Sequence, residues 1–339
     1  MTHIPFVQIK AGDNSEFGLL LGKKLKRQIQ KRVSDNKRLY YKIERLKSFP
    51  VLIRTAEKFL PALKRRCPEL LAELKAMGIG AQVPFDHLLV LMCEEELLDF
   101  RIPHCTNVAI KTGRGPVLGH NEDWSPAYKN NGLFLVKGNI KGEKFLALSY
   151  LGGLAGTSCG LNEEFCFTAN SMDTRRFRYG IPVKFQMRSL LTAHSPRAAK
   201  NIDLTDSSIA SNMVYAWKDS KILDIEDYFG HHEEFYGGKF LVHTNHPVLK
   251  KDRTRANTEA ESIRRYSRAQ EILANCQKYN IQVLKKILSD HACGICAHPQ
   301  RRHSAYGITI ASVIMNPREK SLSVCWSNPC RHPFKKYKL

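Results

Sequence analysis

The stretch that most constrains the fold of this chain runs from Cys105 to Trp124 and has the sequence CTNVAIKTGRGPVLGHNEDW. Two strand-forming segments flank a Gly-Arg-Gly turn, and a three-residue loop containing glycine is a common connection in a β-hairpin. A turn centred on Arg114 places Cys105 opposite Asp123, whereas a β-bulge would bring Glu122 or Trp124 opposite it instead. Cys105 is either a small buried apolar residue or, because it faces a carboxylate at the open end of a hairpin, part of a reactive site.

The pattern of the chain changes at this hairpin. The first hundred residues are predicted to be mainly helical, as in the amphipathic segment that begins at Pro68 and ends before Gly78. Gly18 and Gly22 lie on one face of another predicted helix, which lets a second element approach closely. After Cys105 the strands come in runs and the helices in pairs, and this order predicts stacked antiparallel sheets flanked by helices, an α+β fold.

Composition limits the classes of function. The 339 residues suffice for one large domain or two closely packed ones. The net charge is +21, from 53 Lys and Arg against 32 Asp and Glu. Such a charge suits nucleic acid, an anionic membrane or the phosphates of an acyl-coenzyme A, or it is only a solvated surface that keeps the protein in solution. No glycine-rich phosphate-binding motif supports nucleotide binding.

The ends and the cysteines bear on location. The N-terminal residues lack the basic and apolar segments of a signal peptide, and no stretch approaches the about 18 consecutive apolar residues of a membrane span. The ten cysteines are therefore expected to be mostly reduced, in a cytoplasmic protein without a membrane partner.

Two histidine-containing clusters lie in the part of the chain that follows the mainly helical first hundred residues. His243-Thr-Asn-His246 follows the apolar part of a predicted strand, where such groups either cap the strand or supply an amide to an oxyanion. The pair His231-His232, followed by two glutamates, is predicted to lie in a loop.

A third cluster has the spacing of metal ligands. Cys293, Cys296 and His298 form a CxxC pattern followed by a histidine, and His291 and His303 lie close by. This pattern is moderately specific for zinc, but the second half of a structural site is not evident. The alternative is a packed segment without a metal.

Nine segments share the order and spacing of a known family, although each is weakly specific alone. The segments are 16–22, 68–81, 105–106, 119–124, 153–162, 180–182, 243–246, 295–298 and 309–330. Together they resemble the acyl-coenzyme A:6-aminopenicillanic acid acyltransferase-like group of N-terminal-nucleophile (Ntn) hydrolases, and the resemblance covers nearly the whole chain.

The resemblance implies a four-layer αββα sandwich of two antiparallel sheets flanked by helices, in the α+β class. It also implies a precursor that cuts itself immediately before its nucleophilic cysteine. In this chain that bond is His104–Cys105, and the cut would leave a mainly helical segment 1–104 packed on a catalytic domain 105–339, a heterodimer of its own two fragments. Similar members transfer or hydrolyse acyl groups on amides, and some use acyl-coenzyme A as donor.

The implied site residues are Cys105, Asp123, Asn245 and Asn121. An internal thiol lacks a base, but after the cut Cys105 would carry an α-amine with an ordinary pKa of about 8 that can accept the thiol proton. Asp123 matches the aspartate that would orient this amine by a charge-assisted hydrogen bond. Asn245 matches the asparagine whose amide stabilises the oxyanion, and loss of one such donor typically costs about 100- to 1000-fold in rate. Asn121 would shape the pocket or position the amine.

Two positions depart from the family pattern. His104 occupies a position where glycine or aspartate often precedes the nucleophile, so that either processing is altered or His104 assists it. Ala297 occupies a position where an arginine often separates the Cys and His of segment 295–298. Arg301 or Arg302 would be substitutes, and no catalytic arginine is assigned.

The sequence thus predicts a cytoplasmic Ntn amide hydrolase or acyltransferase that works through an acyl-Cys105 thioester on N-acyl amino acids, amines or small peptides. No cofactor, metal or nucleic-acid partner is predicted, and acyl-coenzyme A is a candidate co-substrate. Three alternatives stay open: a zinc-stabilised protein, a basic nucleic-acid-binding protein, and a non-processing family member that acts in binding.

Overall fold

A computed structural model of the chain describes residues 4–43, 48–97, 105–172, 177–203, 206–229, 231–249, 260–299 and 307–339. Its helices are α1 (Asn14–Lys24), α2 (Lys26–Ile43), α3 (Phe49–Glu57), α4 (Leu60–Arg66), α5 (Pro68–Ala81), α6 (Phe85–Met92), α7 (Glu94–Leu97), α8 (Val183–Leu190), α9 (Pro196–Asp203), α10 (Ala260–Ala274) and α11 (Ile281–Leu288). Its strands are β1 (Phe6–Ala11), β2 (Thr106–Thr112), β3 (Gly115–Trp124), β4 (Leu133–Ile140), β5 (Glu143–Tyr150), β6 (Cys159–Asn162), β7 (Phe165–Ser171), β8 (Ser211–Trp217), β9 (Ile222–Tyr228), β10 (His231–Tyr236), β11 (Phe240–His243), β12 (Ile308–Asn316), β13 (Ser321–Trp326) and β14 (Lys335–Lys338).

The strands form two sheets, which confirms the α+β class predicted from the order of elements. One sheet has the hydrogen-bonded order β1-β4-β5-β6-β7-β8-β9-β10, and the other has the order β11-β2-β3-β12-β13-β14. The prediction of antiparallel sheets needs one correction, because β1 pairs in parallel with β4. More than a hundred residues separate these two strands, which allows the long crossover that a parallel pair requires.

The chain divides into two compact units, and the second comprises residues 101–129, 161–175 and 210–339. Helices α10 and α11 cover one face of the six-stranded sheet, with an apolar core between them that includes Val108, Ile272 and Leu284. Strands β7 and β8 pack against the other face, over β2 and β3. This unit is therefore built of helix, sheet and sheet layers, as in the αββα class.

The first unit comprises residues 1–100, 130–160 and 176–209. Its helices α1 and α5 pack so closely that a Cβ added at Gly18 would lie 2.1 Å from the backbone oxygen of Glu73. Gly22 makes the same kind of approach to α5, which confirms that this glycine pair admits a second element. Phe17 of α1 contacts Phe145 of β5, with ring centroids 5.5 Å apart, so this unit contains a helix layer on a sheet.

Two ion pairs are fully buried in the first unit. Arg188 donates to both carboxylate oxygens of Glu73, at 3.0 and 2.8 Å. Lys184 donates to Glu94 at 2.9 Å, and the Tyr40 hydroxyl donates to the same carboxylate at 2.7 Å. Removal of one partner from such a pair would leave an uncompensated charge in the interior.

Two strands differ from the sequence-based expectation. Residues His231 and His232 lie in β10, not in a loop, because this segment pairs antiparallel with β9 although most of its side chains are exposed. Strand β14, at the basic C-terminal end, pairs with β13, and the sequence pattern does not predict it.

In the ranges given above, no helix combines the length and the apolar character needed to cross a bilayer. The predicted division into fragments 1–104 and 105–339 stays a prediction, since compactness does not report on a covalent cut.

Candidate active site

The hairpin forms as predicted, but its register differs by one residue. Its loop has two residues instead of three, because Thr112 pairs with Gly115. The same register, continued to the open end of the hairpin, places Glu122 opposite Cys105, and Cys105 Sγ lies 3.7 Å from Glu122 Oε1. The prediction that Asp123 faces Cys105 is therefore wrong, since a shorter turn shifts every pair by one residue.

A buried polar cluster surrounds the thiol of Cys105. The side chains of a strand alternate between its two faces, and His120 shares the face of Glu122, with His120 Nε2 3.3 Å from Glu122 Oε2. The other ring nitrogen of His120 lies 2.6 Å from Asn107 Oδ1. A thiol, a carboxylate and an imidazole are thus contiguous in the interior. An acceptor for the thiol proton is present in the uncut chain, which the sequence pattern did not indicate.

Asp123 lies on the opposite face of β3, fully buried, beside a β-bulge of β12 between Thr309 and Ala311. Neither of its carboxylate oxygens has a hydrogen-bond partner of normal geometry among the residues that the structure describes. Burial raises the pKa of Asp123 well above its usual range. The Thr309 hydroxyl and the Arg265 guanidinium oppose this rise, and the charge of Glu122 adds to it. The site therefore contains a buried carboxyl group that is poorly stabilised as an anion.

Arg265 of α10 is the functional candidate that the sequence analysis missed. Its Nη1 donates to the Cys105 carbonyl oxygen at 2.6 Å and to Thr106 Oγ1 at 3.0 Å, and its Nη2 donates to Asn245 Oδ1 at 2.9 Å. The residue is only 1% exposed. The helical pattern could have indicated this residue, because Arg265 lies on the same buried stripe of α10 as Ala269. A charged residue is rare at such a buried position unless it is paired.

Asn245 follows β11 in a well-held loop. Its side-chain Nδ2 donates to the Ser171 carbonyl oxygen at 2.9 Å, and its backbone N–H donates to Ser262 Oγ at 2.8 Å. Together with the bond from Arg265, these contacts fix the orientation of the amide. An amide nitrogen carries two N–H groups, and within the described residues Ser171 uses one of them. The second N–H is the group that could donate to an oxyanion.

Glu226 of β9 fixes the loop that carries Asn245. Its Oε1 lies 2.8 Å from His243 Nε2 and accepts the Val248 N–H at 2.5 Å. Burial acts to raise the pKa of Glu226, but the hydrogen bond and charge of His243 outweigh burial and lower it to about 2. Burial likewise acts to lower the pKa of His243, and the Asp224 and Glu226 carboxylates outweigh burial and raise it. An ionised pair therefore holds this loop.

Asn121 supports a neighbouring loop. Its Nδ2 donates to the carbonyl oxygens of Leu288, at 2.9 Å, and Ile295, at 2.7 Å. Both N–H groups are thereby used, and Asn121 ties β3 to the loop that follows α11. A role in shaping the pocket agrees with this position, and the predicted role in positioning the amine stays a prediction.

Some predicted residues lie outside the described ranges. They are His104, Arg301, Arg302 and His303. Ala297, which occupies the position of an arginine often found in the family, donates its N–H to Thr309 Oγ1 at 2.9 Å and accepts the Thr309 N–H at 3.1 Å. This position therefore joins the loop after α11 to the strand beside Asp123.

A pocket of about 410 Å³ borders Arg265. Its walls include Glu261, Arg264 and Arg265 of α10 and much of the loop 291–299. The volume is within the range of small-molecule sites. Because Arg265 contacts both this pocket and the Cys105 carbonyl oxygen, the pocket is the candidate substrate site.

The same loop contributes to a cluster of metal-ligating side chains. The ligand atoms of His291, Cys296, His298 and Cys330 all lie within 4.8 Å of one another. The sequence pattern for zinc named Cys293, which is not among these four. Burial raises the pKa of the Cys296 thiol to about 12.

Comparison with known proteins finds a matching family profile and a similar curated protein. The profile of the family described as "Acyl-coenzyme A:6-aminopenicillanic acid acyl-transferase" matches residues 110–331. The chain is 28% identical over 166 residues to the "Beta-alanyl-dopamine/carcinine hydrolase" of Drosophila melanogaster, a match that covers 42% of this chain and 41% of that protein. The chain thus matches less than half of the length of this curated relative.

Two solved structures are also similar. A mutant of the conjugated bile acid hydrolase from Clostridium perfringens is 12% identical, with a TM-score of 0.45 over 69% of this chain and 97% of that one. Penicillin V acylase from Agrobacterium tumefaciens is 9% identical, with a TM-score of 0.43 over 66% of this chain and 82% of that one. The family profile covers well over half of the chain. The chain therefore belongs to the acyl-coenzyme A:6-aminopenicillanic acid acyl-transferase family.

Proposed function

We propose that the protein forms an acyl thioester on Cys105 after cleavage of the His104–Cys105 bond, and so hydrolyses or transfers acyl groups on amides. The observation that carries the proposal is the position of Arg265, which donates to both the Cys105 carbonyl oxygen and Asn245 Oδ1. One guanidinium group thereby joins the predicted nucleophile to the predicted oxyanion residue, although they are far apart in the sequence.

Asp123 supports the proposed cut. A buried carboxyl group without a hydrogen bond of normal geometry in the described part of the chain is costly, and such groups are concentrated at functional sites. Cleavage would create an α-amine at Cys105, whose Sγ lies 3.8 Å from the backbone oxygen of Asp123, and this amine becomes an ammonium group when it takes the thiol proton. The Asp123 carboxylate would then accept a charge-assisted hydrogen bond, and its pKa would fall.

Glu122 supplies the acceptor that the uncut chain needs, since its Oε1 is 3.7 Å from the Cys105 thiol. Transfer of the thiol proton to Glu122 makes Sγ a thiolate, which attacks the carbonyl carbon of His104. The C–N bond breaks, its nitrogen takes a proton, and a thioester forms on Cys105. Water hydrolyses this thioester, which leaves a carboxylate on His104 and an α-amine on Cys105.

Turnover repeats this chemistry on a substrate. The α-amine takes the thiol proton, and Sγ attacks the substrate carbonyl carbon. The second N–H of Asn245 would donate to the developing oxyanion. When the tetrahedral intermediate collapses, the C–N bond breaks, the amine leaves with the proton, and the acyl group stays on Cys105. Water then gives an acid, or a second amine gives a new amide.

The proposed substrate is a small N-acyl amine, N-acyl amino acid or peptide. The pocket of about 410 Å³ fits this size, and its wall contains charges of both signs, Arg264 and Arg265 beside Glu261, which suits a substrate with polar or charged groups. The similarity to a β-alanyl-dopamine/carcinine hydrolase makes β-alanyl amides the first compounds to test. Acyl-coenzyme A stays a candidate donor, in which case its thiol would leave instead of an amine. A cytoplasmic location is part of this proposal.

Intact mass spectrometry of the purified chain tests the cut. We expect two species, residues 1–104 and 105–339, from the wild-type chain, and only the full-length species from Cys105→Ala. The same variant should lose hydrolysis of β-alanyl amides. Cys166→Ala is the matched control, because Cys166 is also a buried thiol, directed at the Ala216 carbonyl oxygen, and it should be processed and active. A full-length wild-type chain, with unchanged activity in Cys105→Ala, would refute this mechanism.

A further inference from the structure

Four side chains from two segments meet in the second unit, outside the groups assigned to catalysis. His291, Cys296 and His298 lie in the loop after α11, and Cys330 lies in the turn after β13. Cys296 Sγ is 3.6 Å from Cys330 Sγ and 3.6 Å from His298 Nε2. Cys330 Sγ is 3.3 Å from His298 Nε2, which in turn is 3.2 Å from His291 Nε2.

These four separations match four of the six edges of a zinc tetrahedron, and the two remaining ones, between the His291 ligand atom and the sulfurs, are within 4.8 Å. Zinc bonds of about 2.3 Å to sulfur and about 2.05 Å to nitrogen give edges of about 3.8 Å between two sulfurs, about 3.6 Å between sulfur and nitrogen, and about 3.3 Å between two nitrogens. The observed distances are 3.6 Å between the sulfurs, 3.6 and 3.3 Å between sulfur and nitrogen, and 3.2 Å between the nitrogens. Each of these distances is within about 0.3 Å of the ideal edge.

We propose that His291, Cys296, His298 and Cys330 bind one Zn²⁺ ion in a closed Cys₂His₂ site. Two thiolates and two neutral imidazoles balance the charge of the ion and complete a tetrahedron. Because all four positions are taken by the protein, none is open to water, which is the arrangement of structural rather than catalytic zinc. The ion therefore does not replace Cys105 as the reacting group, and the inference holds whether or not the chain is cut.

The surroundings of the four ligands fit a metal site. Asn328 donates to Cys296 Sγ at 3.5 Å and to the Ala297 carbonyl oxygen at 2.7 Å. A hydrogen bond to a ligating sulfur stabilises the thiolate and orients it. The Cys296 N–H donates to the Asp290 carbonyl oxygen at 2.9 Å, which closes the loop so that His291 returns toward Cys296.

The ion would hold the wall of the candidate substrate pocket. The loop 291–299 forms much of that wall, and Ala297 within it exchanges hydrogen bonds with Thr309, the neighbour of Asp123. A bond from Cys330 through zinc to Cys296 and His298 would fix this loop to the end of β13. The proposed role is therefore to stabilise the pocket and the strand next to the buried aspartate.

A disulfide is the competing use of the two sulfurs. Both cysteines are free thiols here, and the Sγ–Sγ distance of 3.6 Å is far longer than a disulfide bond of about 2.05 Å. A disulfide would also give no reason for His298 Nε2 to approach both sulfurs while His291 Nε2 approaches His298 Nε2. The four-fold convergence favours the ion.

Metal analysis of the full-length chain, purified without chelators under reducing conditions, tests the proposal. We expect one zinc per chain, with X-ray absorption at the zinc edge showing two sulfur and two nitrogen ligands. Cys105→Ala should keep the ion, so that a failure of the proposed catalysis is distinguishable from a failure of this site. Asn328→Ala should lower zinc affinity by about 10- to 100-fold, as is typical when a hydrogen bond to a ligand is removed.

Cys293 provides a matched control within the same loop. Cys293→Ser should retain zinc, whereas Cys330→Ser and His298→Gln should lose it. The sequence pattern alone would give the opposite ranking for Cys293 and Cys330. A wild-type chain that takes up no zinc when Zn²⁺ is supplied overturns the proposal, and so does equal loss of zinc in Cys293→Ser and Cys330→Ser. If the ligand variants do not fold, X-ray absorption of the wild-type chain still tests the proposal, and a ligand set other than two sulfurs and two nitrogens overturns it. A Cys296–Cys330 disulfide found by non-reducing peptide mapping of the chain overturns it as well.

Discussion

Replacement of Asp123 by asparagine should stabilise the uncut chain while it abolishes activity. The carboxyl group is fully buried, and neither of its oxygens has a hydrogen-bond partner of normal geometry among the described residues. An amide of nearly the same shape carries no charge, so the desolvation penalty of the anion disappears. The measurement is best made in a Cys105→Ala background, where no cut is expected and no α-amine can form.

The magnitude follows from the cost of leaving a buried polar group unsatisfied, which is about 1–3 kcal/mol. The pKa of Asp123 is raised well above 3.8 by burial, so the folded chain holds this proton more tightly than the unfolded chain does. Stability then falls as pH rises from the ordinary pKa through the raised one. The asparagine variant does not titrate. Its advantage in the free energy of unfolding should therefore reach about 1–3 kcal/mol near pH 8 and approach zero near pH 4.

Urea unfolding of the two chains at several pH values measures this difference. Asp35→Asn is the control of opposite sign, because hydrogen bonds from Lys31 and Asn131 outweigh burial and lower the pKa of Asp35. Loss of that mostly exposed pair should destabilise the chain at neutral pH by less than about 1 kcal/mol. A destabilised Asp123→Asn chain at pH 8, or an advantage that grows toward pH 4, would show that the carboxyl group is not a poorly stabilised buried acid.

Substitutions at three further positions test other parts of the structure. Arg265→Lys should lower kcat about 10- to 100-fold, because at least one charge-assisted hydrogen bond is lost. Arg265→Met should also move the acid limb of the pH–rate profile to higher pH, since the cation that lowers the pKa of Asp123 is gone. An unchanged pH–rate profile in both variants would show that Arg265 does not belong to the site. Arg188→Met should cost about 3–5 kcal/mol in the free energy of unfolding, because Glu73 stays buried without its cation. Arg264→Met breaks an exposed pair with Glu261 at 3.7 Å and should cost less than about 1 kcal/mol. Equal losses of stability in the two variants would contradict this account. Gly18→Ala should destabilise the chain by about 1–3 kcal/mol in urea unfolding, since its Cβ would lie 2.1 Å from the Glu73 backbone oxygen. Gly238→Ala is the neutral control in the same measurement, because a Cβ there meets nothing within 4 Å.

The local parts of the fold were predictable because they depend on local patterns. The glycine pair at Gly18 and Gly22 indicated a close helix contact, and the contact with α5 is present. The hairpin at residues 105–124 was also indicated, but its register was not, because the sequence Gly-Arg-Gly fits both a two-residue and a three-residue loop. Only the observed pairing of Thr112 with Gly115 decides between them.

Long-range contacts explain most of what the sequence did not predict. Cys330 Sγ lies 3.6 Å from Cys296 Sγ although strands β12 and β13 separate the two residues in the sequence, and no spacing motif links them. Arg265 is separated from Cys105 by most of the second unit, and its role depends on how α10 packs on β2. Strand β10 has mostly exposed side chains on both faces, so it lacks the apolar alternation by which a strand is recognised, and only pairing with β9 defines it.

The one-residue change of register adds Glu122 to a site in which the sequence predicts one carboxylate, Asp123, with the single task of orienting the α-amine. On one face of the hairpin the Cys105 thiol meets Glu122 and, through it, His120, which are acceptors available before any cut. On the other face, the charge of Arg265 acts to lower the pKa of Asp123, and the guanidinium group of Arg265 also binds the Cys105 carbonyl oxygen. Under the proposed mechanism, Glu122 would serve the single self-cleavage event, and Asp123 would serve every later turnover by holding the new α-amine. Glu122→Gln should therefore slow formation of the 105–339 fragment more than it slows turnover by chains already cut, whereas Asp123→Asn should abolish turnover in any chain that is cut. Equal effects of both substitutions on both steps would mean that the two carboxylates act together, and that their placement on opposite faces has no catalytic consequence.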